Sequence, residues 1–214
     1  MEYFTIKKES CIQFEERKSI FIGHAKRVET EEEAKEFVNK IKNEHKDATH
    51  NVYAYIVGGN MLIQKCTDDG EPQGTAGVPV LDVIKKNGIT DTAIVVTRYF
   101  GGILLGTGGL VRAYSRGASE AVNDSGIVER VKGEAIHIII AYELLGKVQY
   151  HFSIKNWHIE NIEYTDKVKI VFICETKNLD DVKRQILELC SGKCEFEIEE
   201  EKYYFKAKDR LVIE

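Results

Sequence analysis

The sequence predicts an α+β protein made of two domains, on three observations. The first half of the chain alternates between stretches with helical periodicity and short apolar stretches typical of buried strands. The pattern changes near residues 130–134. The segments that follow have the order β-α-β-β-α-β of the ferredoxin-like split βαβ arrangement. We therefore expect an N-terminal domain over residues 1–132 and a C-terminal domain over residues 133–214.

A first helix is predicted at about residues 30–45. Thr30, followed three positions later by Glu33, forms a capping box, which marks a helix N-terminus. Apolar residues then recur at the spacing i, i+3, i+4 and i+7, which places them on one helical face. These residues are Ala34, Phe37, Val38 and Ile41.

The segments up to residue 90 predict a hairpin, a loop and a short helix. Turn-forming residues separate two stretches of strand composition, and Asp-Gly and Glu-Pro steps then interrupt regular structure. An apolar helical stretch follows and is closed by a glycine. In order, these are strands at 51–57 and 61–65 around Gly58, Gly59 and Asn60, a loop at 68–77, and a helix at about 79–87 before Gly88.

A buried strand, a glycine-rich loop and a long helix end the N-terminal domain. Residues 92–98 are β-branched and almost wholly apolar, as strands covered on both faces are. Beyond the loop, an apolar stripe predicts a helix that ends near Asn123 or Gly126. The stripe consists of Leu110, Val111, Tyr114, Ala118, Ala121 and Val122.

The C-terminal domain is predicted from four strand candidates and two helical faces. Its strands are short and β-branched or alternating, and its helices carry apolar residues at helical spacing. The strands lie at residues 135–142, 158–165, 167–175 and 193–206, and the helical faces are formed by Leu144, Leu145, Val148 and Phe152 and by Leu179, Val182, Ile186 and Leu189.

Composition and charge restrict the class of protein. Hydrophobic residues make up 43% and charged residues 30% of the chain, which is typical of a globular protein. The formal net charge of −5 argues against a surface coated with basic residues for bulk nucleic-acid binding. The N-terminus lacks the basic start and apolar run of a targeting signal, and no apolar stretch reaches the roughly 20 residues of a membrane span. We expect a cytoplasmic protein without membrane contact.

The five cysteines favour reduced thiols over a disulfide framework, because their number is odd and their spacing is scattered. They are Cys11, Cys66, Cys174, Cys190 and Cys194. No second ligand pair accompanies Cys190 and Cys194 at zinc-site spacing. We therefore expect no metal and no cofactor.

Residues 97–119 are glycine-rich and purely basic within an acidic chain. Five glycines fall at positions 101–109, and the window holds three arginines but no carboxylate. A P-loop is excluded because Thr107 and Gly108 stand where Lys and Ser or Thr are required. A dinucleotide-binding fingerprint is excluded because Val111 stands at its third glycine position.

A more general anion site fits the same window. A strand leads through a glycine loop into a helix, whose first turn has free N–H groups and the positive end of the dipole. Arg112 and Arg116 share a helix face, and Arg98 ends the strand that enters the loop. The candidate anion- or nucleic-acid-binding residues are Arg98, Tyr99, Gly101, Gly102, Gly106, Gly108, Gly109, Arg112 and Arg116.

The same window also fits a purely structural role, in which glycines permit close packing and arginines pair with carboxylates. The candidate partners are the cleft carboxylates Asp68, Asp69 and Glu71. These side chains can alternatively hold a divalent cation or act as a general base, or stabilise their own turn. A nucleophilic Cys66–His50 pair is a further alternative beside structural roles for both residues.

Three motifs carry a resemblance to a known family. HNVYAY (50–55), DDGEPQGTAGVPVL (68–81) and TRYFGGILLGTGGLVRAYSRGA (97–118) closely resemble the YigZ/IMPACT family. The match covers residues 15–130 strongly, and the remainder resembles the smaller C-terminal domain of the bacterial members. One departure is Val52, at a position where many members carry Cys, which weakens any thiol chemistry there.

The resemblance implies a fold and a biological setting. The N-terminal domain is expected to resemble domain 2 of ribosomal protein S5, and the C-terminal domain is expected to resemble domain V of elongation factor G. Eukaryotic members regulate translation by competing for the activator of a translation-control kinase. This chain has the bacterial two-domain layout, so that partner is not expected here.

Three hypotheses for function follow. The first is a non-catalytic, translation-linked binding protein that recognises RNA, the ribosome or a translation factor through the glycine-rich basic corner. The second is an enzyme acting on a phosphorylated small molecule or nucleotide. The third is a protein-interaction module whose motifs are architectural. We carry the first forward; whether catalysis occurs, and the oligomeric state, stay open at this point.

Overall fold

The computed structural model describes residues 2–208 and 210–213, and the chain divides into two units. One unit spans Tyr3–Val128, and the other holds Glu2 and the chain from Glu129 onward. Helices and strands are mixed in both units, so the predicted two-domain α+β class is confirmed.

The N-terminal unit is built on an antiparallel sheet that follows a short strand, β1 (Tyr3–Ile6). The sheet strands are β2 (Ser10–Glu16), β3 (Ser19–Arg27), β4 (His50–Val57), β5 (Ile63–Thr67) and β6 (Thr92–Tyr99). Their order across the sheet is β2-β3-β6-β4-β5. The central strands β6 and β4 therefore each have a neighbour on both sides.

Helices cover both faces of this sheet. The first, α1 (Glu31–Glu44), packs on one face, and α2 (Gly77–Lys86) and α3 (Thr107–Ser125) pack on the other. Side chains of β4 and β6 alternate between the two cores, so both strands are almost wholly buried. This double burial explains why residues 93–96, in the middle of β6, form a continuous apolar run in the sequence.

The predicted capping box is present at the start of α1. The Thr30 hydroxyl accepts a hydrogen bond from the Glu33 N–H at 3.1 Å. The Glu33 carboxylate accepts one from the Glu29 N–H at 2.8 Å, one residue before the cap. The predicted helix is confirmed with its boundaries one residue inside the expected ones.

The β2–β3 hairpin is an element that the sequence analysis did not predict. Its two turn residues, Arg17 and Lys18, have φ values of +47° and +63°. Such turns usually carry Asn-Gly or Asp-Gly, so these residue types gave no turn signal. The carbonyl oxygen of Lys18 lies only 1.9 Å from where a Cβ on Gly101 would stand. The glycine loop after β6 can therefore pack on this turn only because residue 101 has no side chain.

The C-terminal unit has the split βαβ arrangement predicted from the sequence. Its elements are β7 (Ile127–Ile140), α4 (Leu145–Lys155), β8 (Ile159–Tyr164), β9 (Val168–Glu175), α5 (Leu179–Leu189), β10 (Cys194–Ile198), β11 (Lys202–Ala207) and β12 (Arg210–Ile213). The first six follow the predicted β-α-β-β-α-β order, and their strands pair antiparallel as β10-β7-β9-β8. Helices α4 and α5 pack on one face of the sheet, in a core that includes Ile136, Ile138 and Ile170.

The prediction of one strand over residues 193–206 is wrong. Two strands, β10 and β11, occupy this stretch and are separated at residues 199–201. Both pair with β7, β10 along Ile136–Ile140 and β11 along Glu129–Gly133. The alternation of residue types continues through the break, so periodicity could not reveal it. Similarly, β7 begins eight residues before the predicted position 135, because its first half pairs with β11.

No helix formed by residues 2–208 and 210–213 is both long enough and apolar enough to cross a membrane.

Candidate functional site

The three sequence motifs that carry the family resemblance meet at one pocket of the N-terminal unit. The pocket has a volume of about 450 Å³ and opens beside the glycine loop and the first turn of α3. Its lining residues are Thr49, His50, Gly70, Glu71, Pro72, Arg98, Phe100, Leu104, Leu105, Gly106, Thr107 and Leu110. We call this cavity the loop pocket. The sheet topology creates it, because the start of β4 pairs with the end of β6, with His50 opposite Arg98.

Glu71 is the central polar group of the loop pocket. It is 8% exposed, and its Oε1 accepts hydrogen bonds from Arg98 Nη1 and from the Tyr114 hydroxyl, each at 2.7 Å. Burial and then the Glu71 carboxylate raise the pKa of Tyr114 far above its usual range. Tyr114 therefore stays a protonated donor to Glu71.

Arg98 points at Glu71 and not at solvent. It is 5% exposed, and its guanidinium lies 5.3 Å from the Phe100 ring centre. Its Nη2 also lies 3.4 Å from the Ser19 hydroxyl, whereas its Nε has no partner among the described residues. This outcome matches the structural alternative for Arg98, in which the arginine pairs with a motif carboxylate.

His50 is held in one orientation beside this ion pair. Its Nδ1 lies 2.8 Å from the carbonyl oxygen of Asp69, and a carbonyl oxygen can only accept a hydrogen bond. We infer that Nδ1 carries the proton. The other ring nitrogen, Nε2, lies 3.8 Å from Glu71 Oε1.

The other two cleft carboxylates organise the backbone. Asp68 accepts hydrogen bonds from the N–H groups of Gly74, Ala76 and Gly77 at 2.9, 3.0 and 2.8 Å. Burial acts to raise the pKa of Asp68, but these three donors outweigh it and lower the pKa below its usual value.

Asp69 accepts a hydrogen bond from Lys42 Nζ at 2.8 Å and another from the Asn51 N–H at 2.7 Å. Within the described ranges, 2–208 and 210–213, no group of three His, Cys, Asp or Glu side chains could hold a metal ion. The carboxylates of this loop thus bind backbone N–H groups, a lysine and an arginine.

Arg112 and Arg116 lie in a separate depression of the N-terminal unit, which we call the arginine groove. It has a volume of about 260 Å³ and is lined by Glu16, Arg17, Leu105, Gly109, Arg112, Ala113 and Arg116. Arg116 Nε bonds to Glu120 at 2.7 Å, and its guanidinium lies 4.2 Å from the Phe14 ring centre. The described part of the chain offers Arg112 no ion pair or hydrogen bond.

The three predicted arginines therefore do not surround one anion. Arg98 belongs to the floor of the loop pocket, and the other two belong to the arginine groove. Tyr99 is also separate, because its hydroxyl lies 2.9 Å from His45 Nδ1 at the end of α1. Anion binding at the first turn of α3 stays a prediction.

Most glycines of the loop are required by backbone conformation or close packing, whereas Gly108 is not. Gly102 and Gly106 have φ values of +82° and +73°, which disfavour other residues. A Cβ on Gly109 would meet Leu105 Cβ at 2.9 Å. A Cβ on Gly108 would meet nothing closer than Arg112 Nη1, at 3.6 Å. The absence of a side chain at residue 108 leaves the first turn of α3 open to a close approach.

Sequence reasoning missed several residues of the site. Tyr114 was assigned only to the apolar stripe of α3, and its hydroxyl was the signal that it needed a buried partner. Leu104 and Leu105 gave no signal beyond their position in the loop. The Cys66–His50 pair is not formed, because Cys66 lies opposite Ala54 while His50 lies opposite Arg98. Burial also raises the pKa of the Cys66 thiol, which makes it a poorer nucleophile.

The chain matches two family models: the Impact N-terminal domain over residues 17–122 and a domain of unknown function, DUF1949, over residues 138–193. It is 44% identical over 209 residues to the IMPACT family member YvyE of Bacillus subtilis, covering 98% of this chain and 96% of that protein. It is 44% identical over 108 residues to the IMPACT family member YigZ of Escherichia coli, covering 50% of this chain and 53% of that protein.

A solved structure described as that of a hypothetical protein is similar along the whole length. It superimposes with a TM-score of 0.60 at 27% sequence identity, covering 100% of this chain and 98% of the other.

Proposed function

The chain belongs to the IMPACT family, and from that premise we propose that it is a non-catalytic, translation-linked binding protein of the cytoplasm. Its loop pocket would recognise a protein partner, either a translation factor or a protein of the ribosome. The observation that carries this proposal is the composition of the pocket. Its two floor charges, Arg98 and Glu71, neutralise each other, and most of its wall is apolar.

The apolar wall supports a protein partner over a phosphate. Leu104 and Phe100 at the loop are 80% and 45% exposed. Exposed apolar side chains around a concave pocket are typical of binding sites. A phosphate would need free cationic groups in the pocket, and the pocket's arginine is already engaged by Glu71.

The C-terminal unit supports the same preference. The sheet face away from its helices carries Glu195, Glu197 and Glu199, paired with Lys167, Lys169 and His137. Sheet surfaces that bind single-stranded RNA present aromatic side chains to the bases. A face of alternating ion pairs does not offer that surface.

The test is co-sedimentation with purified bacterial ribosomes and pull-down with purified translation factors. Leu104→Asp should lower binding about tenfold, because it places a charge at the pocket rim. Leu62→Asp is the matched control, because Leu62 is 79% exposed and lies outside the loop pocket. The proposal fails if neither ribosomes nor factors bind, or if the two variants lose binding equally.

A second candidate function, an enzyme acting on a phosphorylated small molecule or nucleotide, is favoured by one observation. His50 is oriented by the Asp69 carbonyl, so its Nε2 is free to act as a base beside Glu71 and the N-terminus of α3. A nucleotide panel with Mg²⁺ in thermal unfolding tests this candidate. A nucleotide at about 100 times its Kd should add about 2.7 kcal/mol of stability, and no shift with any nucleotide removes its support.

A further inference from the structure

We infer that the partner presents an acidic, extended segment carrying one bulky apolar residue, which enters the loop pocket while its carboxylates reach the arginine groove. This inference rests on the proposed function and deepens it. It depends on the fit of each depression to a different side chain and on the residue that the two depressions share.

The loop pocket fits the apolar residue. Phe100, Leu104, Leu105 and Leu110 contribute to its wall, and a volume of about 450 Å³ admits a Leu or Phe side chain. The cation and the anion of its floor are hydrogen-bonded to each other, so neither requires a charged ligand. An apolar side chain would bury the exposed part of Leu104 without leaving a charge unpaired.

The arginine groove fits carboxylates. Three arginines and one glutamate line it, in a chain whose formal net charge is −5. Arg112 has no ion pair or hydrogen bond with any residue that the structure describes. Arg116 is paired with Glu120, but both side chains are exposed, and such pairs exchange partners at little cost. Complementary charge would therefore hold an acidic segment in register.

The two depressions are adjacent, because Leu105 lines both. Helix α3 connects them, with Thr107 at the pocket and Arg116 at the groove. At about 1.5 Å per helical residue, these two positions lie about 13.5 Å apart along the helix. An extended segment of about four residues covers that distance. Gly108 leaves the path between them open, since it has no side chain.

The observations favour a protein segment over single-stranded RNA. Bases bind mainly by stacking on aromatic rings. Phe100 and His50 supply the aromatic rings in the linings of the two depressions. The guanidinium of Arg98 lies 5.3 Å from the Phe100 ring centre, and the His50 ring is hydrogen-bonded to the Asp69 carbonyl oxygen. The rest of the apolar wall is aliphatic and offers no further ring on which successive bases could stack.

The test uses fluorescence anisotropy with a labelled peptide of about nine residues, in which a central Leu is flanked by Asp and Glu. Two matched peptides replace the Leu by Ser, or the acidic residues by Asn and Gln. We expect each replacement to weaken binding about tenfold. Added NaCl should weaken the binding of the peptides that carry Asp and Glu, but not that of the Asn/Gln peptide.

Protein variants assign each effect to its depression. Leu104→Asp should abolish the advantage of the Leu peptide over the Ser peptide. Arg112→Ala with Arg116→Ala should abolish the advantage of the acidic peptide over the Asn/Gln peptide. Leu62→Asp and Lys86→Ala serve as exposed controls, and unchanged circular dichroism shows that each variant folds.

The inference is overturned if none of the peptides binds, or if a labelled oligouridine RNA of about 12 nucleotides binds more tightly and responds to the same variants. Its failure is distinguishable from failure of the proposed function. Ribosomes or factors that bind without any peptide binding would remove the inference alone. Peptides that bind while no ribosome or factor does would remove the translation link and leave the inference.

Discussion

Arg98 and Arg112 belong to the same basic stretch of sequence but occupy opposite environments. Arg98 is 5% exposed and donates to the buried Glu71, whereas Arg112 is exposed and bonds to none of the described residues. The first charge maintains the floor of the loop pocket, and the second is available in the arginine groove. An excess of one charge along a stretch of chain therefore does not identify a single binding site.

The largest expected effect comes from breaking the buried pair. Arg98→Ala leaves the Glu71 carboxylate buried without its cation, which should lower the free energy of unfolding by about 3–5 kcal/mol. Urea denaturation measures this loss. Arg112→Ala is the control and should change stability by no more than about 0.5 kcal/mol. Equal effects of the two substitutions would mean that the two environments do not differ as the contacts indicate.

A smaller loss is expected at the second donor to Glu71. Tyr114→Phe removes one hydrogen bond to a charged acceptor and keeps the ring, so it should cost about 1.5–3 kcal/mol. The same urea titration measures it. A combination with Glu71→Gln should be less than additive, because the two residues share one bond. Full additivity would contradict the role of Tyr114 as a donor to Glu71.

A substitution at Gly108 should change the stability of the fold and the affinity for the peptide in opposite directions. Gly108→Ala adds a Cβ that meets no close neighbour in the first turn of α3, so it should stabilise the fold by up to about 1 kcal/mol. It should also weaken the acidic peptide if the segment passes close to this turn. Thermal unfolding and anisotropy measure the two effects. A variant that is destabilised would show that residue 108 has a steric role after all.

The smallest effect is expected at the exposed arginine pair. The coupling between Arg116 and Glu120 should be about 0.3–0.5 kcal/mol in a double-mutant cycle, because both side chains are exposed on one helix face. The cycle uses Arg116→Ala, Glu120→Ala and the double variant. A coupling above about 2 kcal/mol would mean that Arg116 forms a strong, structurally important ion pair, as Arg98 does.

The class of fold and the three motifs that form the site could be predicted from the sequence. The division of the motif residues between the loop pocket and the arginine groove could not. The carboxylate partners of Arg98 were among the sequence-based alternatives. Whether Arg98 faces solvent or Glu71 is decided by the burial that β3, β4 and α3 produce together. This burial depends on pairing between strands that are distant in the sequence. The arginine groove also includes Arg17 of the β2–β3 turn, and the residue types of that turn carry no turn signal.

The β2–β3 hairpin has a practical consequence for fragment design. The Impact N-terminal domain model begins at residue 17, which excludes β2. A fragment with that boundary would lose Phe14, whose ring stacks on Phe21 at 5.3 Å, and Ser10, whose hydroxyl donates to the Ala121 carbonyl at 2.8 Å. It would leave β3 as an unprotected edge and would expose the part of the apolar side of α3 that packs on β2, conditions that favour aggregation. Binding work on this unit should therefore use a fragment that keeps Tyr3–Val128 intact.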